Sequence, residues 1–154
     1  MSRRPERRRT PTRLVFISHS GRNTWIARQI ARAIETHGAT AFLDEAEIDA
    51  GADFEDEILA ALEKADELLV LLTPWAVDRP YIWAEIGAAW FRRIPIVVLL
   101  HGITASELRS RPGVPVLTRR NLLDLNDVDL YLTQLRRRAS QTVRADPGSE
   151  DEKP

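Results

Sequence analysis

At 154 residues the chain is long enough for one hydrophobic core and too short for two. Its 44% hydrophobic and 29% charged residues are ordinary globular usage, which excludes wholesale disorder, and the absence of cysteine excludes a disulfide framework, a thiolate nucleophile and a Cys-based zinc site. The formal net charge of −1 conceals opposed ends, with six Arg against one Glu in residues 1–13 and four acidic against two basic residues in 144–154.

In chain order, residues 1–13 read as a disordered basic arm. No aromatic residue interleaves its arginines as base stacking would want, so nucleic acid is not an expected partner. The arm also lacks the apolar stretch of a signal peptide. Leu14-Val15-Phe16-Ile17-Ser18 is a continuous apolar run ending in polar His19-Ser20-Gly21-Arg22-Asn23, the pattern of a strand buried on both faces. Ile26, Ile30, Ala33 and Ile34 recur at helical spacing from Thr24 to His37, with Gly38 as the stop, and the helical aromatic residues Trp25 and Trp90 are expected to pack in the core. Thr40 to Asp44 is a second strand, followed by an acidic loop and then a helix capped by Asp53, with Phe54, Ile58, Ala61, Leu62 and Ala65 on one face. Leu68-Leu69-Val70-Leu71-Leu72 is apolar at every position, which only a central strand covered on both sides can satisfy. Pro80 opens a helix carrying Ile82, Ile86 and Ala89, and Pro95 to Leu100 is a fourth strand. Beyond it the pattern predicts a short helix over 106–110, an edge strand at either 114–117 or 121–123, and a last helix over 127–139. Residues 14–143 thus form the domain and 144–154 a disordered acidic tail. No apolar run reaches the length of a membrane span, so the expectation is a cytoplasmic protein with no membrane partner.

Strands alternating with helices predict an α/β fold. The number of units suggests a flavodoxin-like three-layer sandwich, a five-stranded parallel sheet of order 2-1-3-4-5 with helices on both faces. In that order the winding reverses between strands 1 and 3. A ligand crevice is expected between the loops leaving them, here Ser18 to Asn23 and Thr73 to Pro80.

Several chemistries are absent from those loops. There is no Gly-rich phosphate loop, no Gly-x-Ser-x-Gly elbow, and no acidic residue at the ends of strands 1 and 3 as a phosphoryl receiver requires. His19, His37 and His101 are not at ligand spacing, so no metal is expected. What the crevice receives is Tyr81-Ile82-Trp83-Ala84-Glu85-Ile86-Gly87. Tyr81 and Glu85, four apart, share a helix face, and Glu85 stands at the side of the sheet-facing stripe, one turn into the helix. A carboxylate beside aromatic rings and away from bulk water should have a raised pKa and strong leverage on a nearby cation. Cleavage of an N-glycosidic bond develops such a cation on the ribose, and nicotinamide, already charged, leaves without a second carboxyl acting as acid. From spacing alone the ordinary reading is a solvated surface glutamate.

The stretch from Leu14 to Leu100 resembles a bacterial TIR domain. Val15-Phe16-Ile17-Ser18-His19-Ser20 matches the family's first-strand motif. Phe42-Leu43-Asp44 with Gly51 and Phe54-Glu55-Asp56-Glu57-Ile58 matches its second strand, BB loop and following helix. Leu71-Leu72-Thr73-Pro74-Trp75 resembles the third-strand box, and Glu85-Ile86-Gly87 stands in the place of the family's catalytic glutamate. The resemblance fades after His101. It implies an NAD+ glycohydrolase or a cyclase making a cyclic ADP-ribose isomer, with NAD+ as substrate and no cofactor, Glu85 catalytic, and Ser18, His19, Ser20, Asp44, Asp49, Tyr81 and Trp83 around the substrate. Where the family often has Trp four residues before the glutamate, this chain has Tyr81, with Trp83 two residues later. For His19 a plain loop role stands beside the substrate role. For Asp44 and Asp49, BB-loop organisation, capping and solvation stand beside ribose binding. The resemblance also implies self-association through TIR–TIR contacts and a separately encoded effector in bacterial signalling or antiviral defence. The alternative it implies is a non-catalytic scaffold assembling through the BB loop, Glu45 to Asp53.

Overall fold

The computed structural model describes residues 12–43, 52–111 and 122–144, with 52–55, 57, 143 and 144 described by backbone alone. Strands β1 (Leu14–Ser18), β2 (Thr40–Leu43), β3 (Glu67–Leu72), β4 (Ile96–Leu100) and β5 (Leu122–Asp124) form one sheet of order β2-β1-β3-β4-β5. Every neighbouring pair is parallel, with Phe16 opposite both Phe42 and Leu68, and Val70 opposite Val98. The expected order is observed. Helices α1 (Thr24–Thr36), α2 (Ala52–Lys64), α3 (Pro80–Phe91), α4 (Ala105–Arg109) and α5 (Val128–Arg144) cover it.

Alternation along the strands assigns each helix to a face. Phe16, Leu68, Val70, Leu72, Ile96, Val98 and Leu100 meet Leu62 of α2, Ile82, Ile86 and Ala89 of α3 and Leu108 of α4. Val15, Ile17, Leu69, Leu71 and Leu99 meet Ala27, Ile30 and Ile34 of α1 and Tyr131, Leu132 and Leu135 of α5. Both cores are thus filled by the same strands, which is why β3 is buried at every position.

Boundaries differ from the sequence reading in instructive ways. Pro95 lies outside β4, its carbonyl accepting from Leu68 N at 2.9 Å. Asp53 falls inside the first turn of α2 and does not precede it. The short helix is Ala105–Arg109, capped by Thr104, whose hydroxyl accepts from Glu107 N at 3.1 Å. The fifth strand is Leu122–Asp124, near the later of the two expected stretches; the earlier one, 114–117, lies outside the described residues. Trp25 and Trp90 do not pack in the core: they are 72% and 56% exposed. Helical phase explains both, since each sits off the stripe that its helix buries, Ala27-Ile30-Ile34 in α1 and Ile82-Ile86-Ala89 in α3.

Beneath the sheet, at the N-terminal end of its strands, the head of β3 carries a buried carboxylate. Glu67 accepts from Arg13 Nε at 2.6 Å, from Arg138 Nε and Nη2 at 3.0 and 3.1 Å, and from the Tyr131 hydroxyl at 2.6 Å. Burial alone would raise its pKa, but the hydrogen bonds from Arg138, Tyr131 and Arg13 outweigh that and hold it below the ordinary value. The network joins the entry to β1, the start of β3 and α5.

Candidate active site at the reversal of the sheet

At the opposite end of the strands, β1 and β3 are neighbours whose connections leave to opposite faces, α1 behind β1 and α3 behind β3. This is the geometry that opens a crevice between the two departing turns. Ser18, His19 and Ser20, directly after the apolar part of β1, are 0%, 2% and 0% exposed. The chain then makes a 3-10 turn, Gly21–Asn23, started by Ser20, whose hydroxyl accepts from Arg22 N.

Asn23 occupies the N-cap of α1, where an Asn side chain ordinarily accepts from the first turn of the helix. It makes no such bond. Its Oδ1 instead accepts from Thr73 Oγ1 at 2.7 Å, and Thr73 Oγ1 accepts from Ala76 N at 3.1 Å. Forgoing a cap costs about 1 kcal/mol. In exchange a buried hydrogen bond ties the turn after β1 to the turn after β3.

A second tie lies one helical turn from Glu85. The Tyr81 hydroxyl donates to the His19 carbonyl at 2.9 Å, joining the first turn of α3 to the β1 side. Pro80 at the helix start fixes this turn without an amide donor that would need a partner. Four residues on, Glu85 is 6% exposed, on the side of α3 that also buries Ile82, Ile86 and Ala89. A surface glutamate, one of the two readings that spacing allowed, is not what this helix holds.

The structure therefore brings Ser18, His19, Ser20 and Tyr81 together, with Glu85 one turn further along the same helix. Trp83 is directed otherwise: its indole Nε1 donates to the Val77 carbonyl at 2.8 Å and the ring packs on the core, so it fixes the loop before α3. Asp44 and Asp49 lie outside the described residues. Asn23 and Thr73 were not among the expected site residues, although both stand in the loops that the strand order singles out. An Asn before a helix fits a plain cap, and nothing in the local sequence signals a partner fifty residues away. Among the described residues no group of three or more His, Asp or Glu stands where it could hold a metal ion, and no helix is long and apolar enough to cross a membrane.

Comparison with known proteins is consistent with this geometry. Many solved structures share the fold. The TIR domain of the Toll-related receptor TRR-2 from Hydra magnipapillata is 18% identical with a TM-score of 0.59, over 84% of this chain and 97% of that domain. The RPS4 and RRS1 TIR domain heterodimer gives 16% identity and a TM-score of 0.59, over 86% and 99%. A 2-desoxiribosyltransferase from Leishmania mexicana gives 11% identity and a TM-score of 0.60, over 79% and 97%. A search of curated proteins finds no match. At such identities these neighbours speak for the fold alone, but the TIR domain family model matches residues 15–138, most of the chain, and the protein belongs to the TIR domain family.

Proposed function

We propose that the chain is an NAD+ glycohydrolase that cleaves the bond between nicotinamide and ribose, with Glu85 as the catalytic carboxylate. The observation that carries this reading is the burial of Glu85 on α3, one turn beyond the residue that ties α3 to the turn after β1. In the reaction the C1′–N bond breaks and its electron pair goes to the pyridinium nitrogen, releasing neutral nicotinamide. The positive charge left on the ribose is stabilised by the carboxylate, whose effect is large in a site shielded from water. Water then captures the ribosyl cation and gives up a proton, yielding ADP-ribose; capture by a hydroxyl or ring nitrogen of the same molecule, again with loss of a proton, yields a cyclic form. Ser18, His19, Ser20 and Tyr81 surround the substrate, and no cofactor is required. A fold neighbour named as a deoxyribosyltransferase supports the idea that this architecture suits transfer at a sugar carbon. On this reading the protein acts in NAD+-based signalling or antiviral defence in the cytoplasm, its product read by a separately encoded effector.

The experiment is incubation of concentrated protein with NAD+ while nicotinamide release is followed, beside Glu85→Gln. Loss of one preorganised electrostatic contact of this kind lowers turnover by roughly 100-fold or more. A wild type no faster than the variant, even at high concentration, would leave the scaffold reading in its place. Mass analysis of the products separates ADP-ribose from its cyclic isomers.

A further inference from the structure

Charge is distributed unevenly over this fold. Residues 1–13, α1 and α5 carry +5, +1 and +3, so in a chain of net charge −1 everything else carries −10. Helices α1 and α5 are neighbours in one layer, packed on Val15, Ile17, Leu69 and Leu71. On the other side of the sheet α2 carries five acids against Lys64. The chain enters β1 at the end of the basic layer. The Thr12 hydroxyl lies 2.7 Å from that of Thr40, just past α1, and Arg13 Nη1 donates at 3.5 Å to Thr142 Oγ1, near the end of α5. The arginines of residues 3–9 are therefore joined to a layer that is itself basic.

On the solvent side of that layer, Trp25, Arg28 and Arg32 recur at steps of three and four along α1 and are all exposed, a row roughly 10 Å long. On α5, Arg136 and Arg137 are exposed. Among the described side chains, the exposed acids of the two helices are Glu35, at the far end of α1 from Trp25, and Asp129, in the first turn of α5, so the four arginines outnumber them. Trp25, 72% exposed, holds its indole in solvent at the head of the row.

We propose that this layer binds single-stranded nucleic acid, with Arg28, Arg32, Arg136 and Arg137 on its phosphates and a base stacked on Trp25. Three features select that partner. All twelve basic residues of residues 1–13, α1 and α5 are arginine, whose planar fork meets phosphate oxygens with two parallel N–H bonds; the two lysines, Lys64 and Lys153, lie elsewhere. An exposed indole in line with cations is the combination that grips a single strand, the ring taking a base of any sequence while the cations follow the backbone. A duplex keeps its bases stacked on one another and offers Trp25 none, which makes the single strand the preferred form. Residues 1–13 contain no aromatic residue and by themselves give no reason to expect this partner; the helix layer they join supplies the missing ring. The proposal is independent of the NAD+ reading, because binding is measured without NAD+ and Glu85→Gln is expected to bind as the wild type does.

Fluorescence anisotropy of a labelled single-stranded DNA of about 20 nucleotides, titrated with the full chain, tests it. Four phosphate contacts on a single strand predict an affinity that falls roughly 50-fold between about 50 and 200 mM salt, and further if residues 3–9 also engage. Arg32→Glu combined with Arg137→Glu, both outside the Glu67 network, should weaken binding by roughly ten-fold or more. Arg93→Glu combined with Arg109→Glu makes the same change of charge at exposed positions across the sheet and should alter it by less than about two-fold. Trp25→Ala should weaken the single strand by roughly ten-fold and leave a duplex of the same length nearly unaffected. No binding at about 50 mM salt overturns the proposal, as does an equal loss from the charge reversals on the two sides of the sheet. A duplex bound as tightly as the single strand, with Trp25→Ala without effect on either, overturns it too. So does binding that vanishes on deletion of residues 2–11 and is indifferent to the Arg32 and Arg137 reversals, or capture by phosphatidylserine vesicles in place of the oligonucleotide, which would assign the layer to a membrane surface.

Discussion

Replacing Glu67 removes the shared acceptor of a network that joins three elements. In Glu67→Ala the Tyr131 hydroxyl, on a residue with no exposed surface, loses its partner, at about 1–3 kcal/mol for a buried group left unsatisfied. The Arg13 and Arg138 side chains keep 15% and 27% exposure and can turn partly to water, so breaking the ion pairs falls at the low end of about 3–5 kcal/mol. A total near 4–6 kcal/mol follows, which lowers the melting temperature by roughly 10–20 °C for a chain of this size. Glu67→Gln keeps an acceptor for Tyr131 but turns an amide N–H₂ toward an arginine, and should cost about 2–3 kcal/mol. Urea unfolding at constant m is the assay, and pH gives it a second dimension. The folded pKa of Glu67 is lowered, so its contribution is complete above the unfolded value and is lost as pH falls from 4.5 through the folded value. The gap between wild type and either variant should therefore be full at neutral pH and close on acidification below 4.5. Tyr131 shifts the other way: burial first, then the Glu67 charge, raises its pKa. The stability this provides is complete below pH 10 and is lost as pH rises beyond it, so wild type should weaken there more steeply than Tyr131→Phe. A cost under about 1 kcal/mol at neutral pH, or a gap that stays constant into acid, would refute the assignment of this network as a structural clamp.

Two further substitutions probe the ties across the crevice. Thr73→Val removes both the bond to Asn23 Oδ1 and the acceptor for Ala76 N, and should cost about 1–3 kcal/mol. A double-variant cycle with Asn23→Ala should show a coupling of about 1 kcal/mol, and strict additivity would mean that the bond does not hold the loops together. Tyr81→Phe removes the hydroxyl that donates to the His19 carbonyl, and should speed amide exchange in the turn after β1 by roughly five-fold, the equivalent of about 1 kcal/mol. Exchange unchanged there, or faster only in distant elements, would count against the tie.

What the sequence made legible was whatever burial dictates. A strand apolar at every position has to be central, so β3 and hence the reversal beside it follow from Leu68 to Leu72 alone, and Glu85 follows as the carboxylate on the next helix. Side chains chosen by a distant partner were hidden. Glu67 directly precedes the apolar run and looks like a solvated strand end, because Arg13, Tyr131 and Arg138 that neutralise it are far away in sequence. Asn23 looks like a helix cap because its true partner, Thr73, is fifty residues on. Trp25 and Trp90 misled in the opposite direction. Large aromatic residues usually pack, yet the phase of each helix carries these to the surface. On α3 that same phase places Phe91, with Trp90 on its flank, on a face that the fold itself does not use.

Where the buried polar side chains sit separates clamp from site. Among the described residues seven are buried, and Glu67 is alone at the N-terminal end of the strands, held by four hydrogen bonds from Arg13, Tyr131 and Arg138. Ser18, His19, Ser20, Asn23, Thr73 and Glu85 lie at or beyond the C-terminal ends of β1 and β3. Ser18 is the telling member. Its residue has no exposed surface and, among the described residues, its Oγ has no hydrogen-bond partner. A buried hydroxyl without a bond works against folding, so Ser18→Ala should leave stability unchanged or raise it by about 1 kcal/mol, unlike any change at Glu67. A residue kept at such a cost is expected to act on a ligand, and the same variant should slow nicotinamide release. If Ser18→Ala instead destabilises the chain by more than about 1 kcal/mol with turnover per folded molecule intact, the hydroxyl has a structural partner and the crevice loses one of its polar walls.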